Sequence, residues 1–355
     1  MTERRSLDST GLWGWLSSGL GYHMDNLGVW LLERFPAFGA AYASLLKPRR
    51  PIAAPRPGWK FGEEYYDQRR WFACRRGSLW EAAAEHKLAV SLTIPWHNDA
   101  LVDVTLGNDN SLCLYVCGSF EPNEFALLDH ILQPGMVFID VGANDGYFTL
   151  FAAGRVGSAG RVVAVEPSAR ERANLQHNIE RNRFNNVTVV PVALGAVPGH
   201  ADLRLAHGVH SGHNTLGKFA HDDVQVESLV RVEVDTLDSV TAKLGLDHVD
   251  FIKIDVEGAE ASVIEGAPVV LRTMRPTLLL EINETALQAQ QRSGQGLLST
   301  LRDEFDYEIL VFSSSTGLLE ALVNDQPLSP NIVARPRELG SRLIGRPRRS
   351  IHGQQ

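Results

Sequence analysis

The sequence predicts an α/β fold, a mainly parallel sheet with helices on both faces, and three observations predict it. Apolar strand-like runs alternate with helical stretches from about residue 137 to residue 304. The first run, MVFIDVGANDG (136–146), breaks from a β-branched strand into glycines and then into the helix-compatible YFTLFAAGRV, the first half of a βαβ unit. Acidic residues stand at the ends of successive runs, at Asp140, Glu166, Asp255 and Glu281, and ligands of open α/β sheets bind outside those strand ends.

In chain order, residues 1–88 read as a helical N-terminal extension with a proline- and arginine-rich linker. The stretch from Gly11 to Leu46 is rich in Trp, Leu and Gly, and its second part reads as short amphipathic helices broken at Pro36. Such helices lie on a membrane, pack on a partner or cover the protein's own core; the last is expected, because no basic polar face accompanies them. KPRRPIAAPRPGWK (47–60) has four prolines and five basic residues and reads as a linker or extended arm. Trp71 to Lys87 reads as a helix.

The core domain is expected over residues 89–336. LAVSLTIPW, then HND, then ALVDVTLGNDNSLCLYV read as two or three antiparallel strands, a small β element before the core, with Cys113 and Cys117 on one face of the last strand. A short helix at 123–132 precedes the 137–141 strand. Further strands are expected near 161–166, 187–193, 249–255 and 276–282, with helices near 169–182, 259–272 and 296–304. Between the third and fourth parallel strands, residues 200–235 lack helical period and read as extra β structure and loops where a substrate would approach. YEILVFSS (307–314) and NIVARP (331–336) read as a closing hairpin pair, and 337–355 as a basic, solvated tail continuing a run of arginines that begins at Arg335 and Arg337.

Composition narrows the function. The chain has 355 residues, 44% hydrophobic and 21% charged, which is ordinary for a folded protein. A net charge of −8 argues against broad nucleic-acid binding. The three cysteines suit neither a disulfide framework nor a zinc site and are expected to be reduced. No apolar run reaches the ~18 residues of a membrane span, and the start does not read as a secretory leader, so a cytoplasmic location is expected.

The loop after the first parallel strand discriminates between ligands. Its pattern is D-x-G-x-N-x-G (Asp140, Gly142, Asn144, Gly146), not the G-x-G-x-x-G that seats a pyrophosphate. A carboxylate beside the loop repels a pyrophosphate and suits an ammonium or sulfonium group. Glu166, 20 residues after Gly146, stands where an acid accepts both ribose hydroxyls. Together these describe a pocket for S-adenosylmethionine, with Asp140, Gly142, Asn144, Gly146 and Glu166 as its binding residues.

VDFIKIDVEGAE (249–260) puts Lys253 and Asp255 two apart, hence on one face, at the end of a buried strand. With Glu257, Glu260, Glu281 and Asn283, these charges could orient an acceptor hydroxyl or amine, form an internal salt bridge with Lys253, or bind a divalent metal; the first reading is favoured and no metal is expected. His207, His210 and His213 fall in the irregular insertion and read as exposed loop histidines, with His213 the choice if a general base is needed. Asp255 is the first catalytic candidate, His213 the second, and Glu281 supports.

With DVGANDGYFTL, VVAVEPSARERANLQHNIERN, VTVVPVALG, DTLDS, FIKIDVEGAE and RPTLLLEI in that order, residues 121–336 resemble the FkbM-type methyltransferases. The resemblance implies a Rossmann-like, seven-stranded class I methyltransferase sheet and S-adenosylmethionine as cofactor. It places the loop around the methionine part, Glu166 on the ribose, Ala193 and Leu194 beside the adenine, and Lys253 to Glu260 beside the acceptor. It further implies O-methylation of a small-molecule or glycan hydroxyl, on a sugar, glycolipid or secondary metabolite. Asp145 departs from the family, where an apolar residue is common, and residues before about 88 have no counterpart. The rival readings are an NAD-dependent oxidoreductase, disfavoured by the glycine pattern and Asp140, and a non-catalytic interaction protein that keeps the fold. The N-terminal extension is the expected place for self-association or another surface contact.

Overall fold

The computed structural model describes residues 27–48, 51, 53–58, 70–88, 90–207, 210, 213–217, 219, 226–323 and 329–339. Expectations for residues 11–26, for residues 49, 50, 52, 59 and 60 of the linker and for the tail from 340 onward lie outside the described residues. The chain divides into two compact units, residues 1–51, 60–95 and 103–120 in one and 52–59, 96–102 and 121–355 in the other.

In the first unit, a helix over 27–34 is followed at once by the helix Pro36–Leu45, because Pro36 has no N–H to continue the first helix but starts the second well. The two cross closely at Gly39, where a Cβ would come within 2.3 Å of the Leu32 Cα. Leu32 and Ala43 are buried at that crossing, while Trp30, Phe35, Phe38 and Leu45 stay exposed, so these helices cover the core with only part of their apolar surface. The helix Arg70–Glu85 brings Arg76 to the carbonyls of Leu46 (3.3 Å) and Val116 (3.0 Å).

Strands β1 (Ser91–Pro95) and β2 (Leu101–Thr105) make the expected small sheet. The third strand read into SLCLYVC does not exist. Asp109–Ser111 is a helical turn capped reciprocally by Asn108 and Ser111, and it runs on as a π-helix over Leu112–Cys117. Every residue from Cys113 to Cys117 is buried, and a short apolar run buried on all sides shows neither the period of 2 nor that of 3.6. The Asn108 cap was the signal that separates the two. Cys113 and Cys117 are both buried.

The second unit is built on an eight-stranded sheet. Five parallel strands, β3 (Val137–Val141), β4 (Arg161–Val165), β5 (Val187–Val190), β9 (Phe251–Ile254) and β10 (Thr277–Glu281), lie side by side in the order β5-β4-β3-β9-β10. Next to β10 comes β13 (Asn331–Pro336), antiparallel, then β11 (Tyr307–Phe312), with the short β12 (Leu319–Ala321) at the edge. Without β12 this is the seven-stranded class I methyltransferase order, with the last strand inserted between the fifth and sixth. A three-stranded sheet, β6 (Ala193–Leu194), β8 (Val226–Asp235) and β7 (Gly199–Ala206), is the extra β structure expected between the third and fourth parallel strands.

Strands β3, β9 and β10 are buried on both faces, so they read as continuous apolar runs. Ile139, Ile252, Ile254, Leu278 and Leu280 join Leu237, Ile264, Leu271 and Leu297 in the larger core cluster. Phe138 stacks on Phe251 at 5.6 Å, and Phe125 stacks on Phe148 at 4.5 Å. Full burial of such a ring contributes roughly 2–3 kcal/mol. Arg335, counted above with the basic run, belongs to β13: it is 3% exposed and ion-paired with Glu308 at 2.6 Å.

Candidate active site

The chain leaves β3 toward β4 and later β5 on one side, and β9 leads to β10 on the other, so the sheet's topological switch lies between β3 and β9. Asp140 of β3 and Lys253 of β9 are register partners there. Asp140 is fully buried; its Oδ2 accepts a 2.6 Å hydrogen bond from Thr149 Oγ1, and its Oδ1 has no partner. Burial raises its pKa, and the Lys253 charge opposes that rise.

The glycine loop is shaped by close approach. Gly142 has φ +80°, and a Cβ there would lie 1.8 Å from the Asp255 carbonyl oxygen, so only glycine lets the loops after β3 and β9 meet. Asn144 takes a left-handed φ of 49° and donates its backbone N–H to Glu166 Oε2 at 2.9 Å. Gly146, at φ +94°, opens the helix Tyr147–Val156. Asp145, the family departure, is satisfied within the fold: Oδ1 accepts from Asn174 Nδ2 at 3.0 Å, and its carbonyl accepts from Asn178 Nδ2 at 3.0 Å.

Glu166, just beyond β4, is buried, with Oε1 accepting from the Ser168 N–H and Oε2 from the Asn144 N–H, both at 2.9 Å. Burial lifts its pKa to about 7 against the pull of these two donors. One acid thus ties the glycine loop to the next strand and keeps a second lone pair on each oxygen.

The acceptor-side candidates converge. Lys253 Nζ lies 2.7 Å from Asp255 Oδ2 and 4.7 Å over the Phe148 ring, so the internal salt bridge foreseen as one of three readings is present. Burial disfavours the Lys253 ammonium, but Asp255, Asp140 and Glu121 outweigh it, and its pKa is raised. For Asp255, burial pushes the pKa up, while Lys253 and a hydrogen bond from Glu281 pull it below the ordinary carboxylate range. Glu281 moves the other way, held well above that range by burial and by the Asp255 and Glu257 charges. Asp255 is thus shifted toward its ionised form and Glu281 toward its protonated form.

Carboxylate oxygens of Asp255, Glu257 and Glu281 lie within 4.8 Å of one another, an arrangement that also offers oxygen ligands to a cation. Glu257 has a left-handed φ of 51°, a strained setting outside glycine. His213 reaches this cluster: its Nδ1 is 3.2 Å from Glu257 Oε1, and its side chain is half-buried, not an exposed loop histidine. Thr215 Oγ1 donates to the Glu257 carbonyl at 2.7 Å, so the excursion after β7 is fastened to the loop after β9.

Other expected site residues play structural parts. Glu260 turns inward, and its Oε1 accepts from the N–H groups of Val256 and Gly258. Asn283 caps the helix Glu284–Ala289. Ala193 and Leu194 are buried apolar residues of β6, Ala193 in the small-sheet core and Leu194 in the main one. Glu121 and Glu124 were not foreseen. Asn331 Nδ2 donates to Oε1 of both, at 3.1 and 3.0 Å, and Asn331 is the register partner of Glu281. Burial, with Glu124 beside it, raises Glu121 to about 8, and burial raises Glu124 to about 7. A left-handed φ of 40° at Glu121 is their only local peculiarity, and sequence does not display it.

Residues 140–309 match the family model described as the methyltransferase FkbM domain. The chain is 29% identical over 203 residues to the AMB antimetabolite synthetase AmbE of Pseudomonas aeruginosa, covering 48% of this chain but 10% of that one. It is 24% identical over 155 residues to the 2-O-methyltransferase NoeI of Sinorhizobium fredii, covering 40% of this chain and 62% of that one. It therefore spans a tenth of the length of the synthetase and less than two thirds of NoeI. Among solved structures, a methyltransferase FkbM from Methylobacillus flagellatus aligns with TM-score 0.38 and 16% identity over 86% of this chain and 60% of that one. The glycine loop, Glu166, Asp255 and Glu281 fall inside the matched segment, so just under half of the chain, residues 140–309, is similar to the FkbM methyltransferase domain.

Proposed function

We propose that the protein is an S-adenosylmethionine-dependent O-methyltransferase acting on a hydroxyl of a sugar, glycolipid or secondary metabolite. The observation that carries this reading is the position of Asp255, 2.7 Å from Lys253 Nζ, grouped with Glu257 and Glu281 and packed against the glycine loop at the switch point. The residues fit the cofactor: the partnerless Oδ1 of Asp140 and the remaining lone pairs of Glu166 offer acceptors to a cationic group and to ribose hydroxyls. Asp140, Gly142, Asn144, Gly146 and Glu166 would hold it, with Ala193 and Leu194 as apolar wall. When bound, S-adenosylmethionine supplies an electrophilic methyl group.

The protein's own contribution is alignment and a proton acceptor. Asp255 holds the acceptor hydroxyl and takes its proton; Lys253 keeps Asp255 ionised before transfer, and Glu281 fixes its orientation. His213 acts through Glu257 at the rim. Oxygen as the methylated atom is supported by a relative named as a 2-O-methyltransferase. Metal is not required in this scheme, because Lys253 already balances the Asp255 charge.

Calorimetry with S-adenosylmethionine, S-adenosylhomocysteine and NAD tests the reading. Binding of the first two but not NAD is expected, with loss in Asp140→Ala and Glu166→Ala. Binding of NAD in their place would overturn it. An acceptor screen beginning with hydroxylated sugars and lipids then follows, in which Asp255→Asn should lower turnover about 100-fold or more while cofactor affinity holds. Full turnover in that variant would remove Asp255 from its role.

A further inference from the structure

The first unit carries an exposed apolar surface. The helices 27–34 and Pro36–Leu45 leave Leu27 (44% exposed), Trp30 (51%), Phe35 (47%), Phe38 (68%) and Leu45 (82%) open to solvent. The aromatic rings form one cluster, with Trp30 edge-on to Phe35 at 5.6 Å and Phe35 edge-on to Phe38 at 6.3 Å. Scattered exposed apolar residues are ordinary, but grouped Trp, Phe and Leu on adjoining helices mark a contact surface.

The sequence that follows the two helices indicates what covers the cluster. From Arg34 to Gly62 the sequence has six basic residues (Arg34, Lys47, Arg49, Arg50, Arg56 and Lys60) and no Asp or Glu, in a chain whose net charge is −8. Arg34 and Lys47 are exposed. Glu33, beside the cluster, is engaged by His86 Nε2 at 3.1 Å. We propose that this face is a docking surface for an anionic lipid bilayer. Trp30, Phe35, Phe38 and Leu45 enter the headgroup boundary, and the acid-free basic run attracts the acidic headgroups. Reversible membrane attachment needs two such signals, apolar insertion and a basic patch, and both occur here within one short stretch of chain. A second copy of the chain would cover the apolar cluster but would leave the acid-free basic run without an anionic counterpart.

The test is co-sedimentation of the full chain with vesicles of phosphatidylcholine alone and of phosphatidylcholine mixed with phosphatidylglycerol. Binding is expected to the mixed vesicles, weakening about 10-fold or more at high salt. It should fall by at least about 10-fold in the Trp30→Ser/Phe35→Ser/Phe38→Ser variant, and by a similar factor in Lys47→Gln/Arg49→Gln/Arg50→Gln. The charge variant leaves the helix crossing untouched, so it keeps the test decisive if the aromatic variant folds poorly. No binding to either vesicle overturns the proposal, as does binding that both variants retain. A dimer in light scattering that the aromatic variant dissolves, without vesicle binding, would assign the face to a second copy. Vesicle indifference combined with capture by an acidic protein would assign it to that partner class.

Discussion

Lys253 is the residue on which the two halves of the site depend. It is register partner to Asp140 on the cofactor side and ion-paired with Asp255 on the acceptor side. Removing the ammonium takes away the strongest opposition to burial at both acids, so both pKa values rise and ionisation moves to higher pH. Lys253→Met is therefore expected to bind S-adenosylmethionine about 10–100-fold more weakly near neutral pH and to regain part of that affinity as pH rises, whereas Lys253→Arg should stay close to wild type. A titration of affinity against pH checks this; a uniform loss at every pH would make Lys253 merely structural. Much was legible at this scale. Asp140 and Glu166 announced themselves as acids at strand ends with a set spacing, and Lys253 and Asp255 as charges in an apolar run. Glu121 and Asn331 did not, because they meet across 210 residues of sequence and nothing local marks either.

At the scale of elements, the loops after β3 and β9 are interlocked by backbone contact. Gly142→Ala would force a Cβ to within 1.8 Å of the Asp255 carbonyl, at a φ of +80° that alanine resists. A loss of at least about 3 kcal/mol is expected, read as a lower denaturant midpoint, with cofactor binding lost alongside. The β7–β8 excursion is fastened to the same place by Thr215 and His213. Thr215→Val and His213→Ala should raise the acceptor KM several-fold with little change in cofactor affinity; the opposite split would place the excursion on the cofactor side. The sequence indicated this excursion as non-helical β structure but not its attachment, since the contact with Glu257 depends on a turn geometry that loop composition does not specify. It misassigned Leu112–Cys117 for a different reason. Burial on all sides erased the periodicity that tells strand from helix, and the only remaining signal was the Asn108–Ser111 cap.

For the whole molecule, the buried acids set an unusual pH dependence. Glu121, Glu124, Glu166 and Glu260 titrate at about 8, 7, 7 and 7, all pushed up by burial from an ordinary 4.5. Between about 4.5 and about 8 the folded chain keeps protons that the unfolded chain has released, so stability is greatest at the acid end of that window and declines as pH rises through it. The melting temperature should thus be higher near pH 6 than near pH 8, and Glu121→Gln should flatten the slope; a melting temperature that climbs over this interval would contradict the assignment. The fold class and the succession of parallel strands along the chain up to β10 followed from the alternating pattern. The insertion of β13 did not, because two apolar runs at the end of a chain also read as a simple hairpin. That insertion governs when the protein can be completed during synthesis. β13 hydrogen-bonds on one side to β10 and on the other to β11, so until residues 331–336 emerge from the ribosome both of those strands present open edges. A nascent chain arrested at residue 330 would therefore be a ready substrate for chaperones and for strand-to-strand aggregation, and late stop codons should abolish soluble yield even though every residue of the glycine loop has already been made.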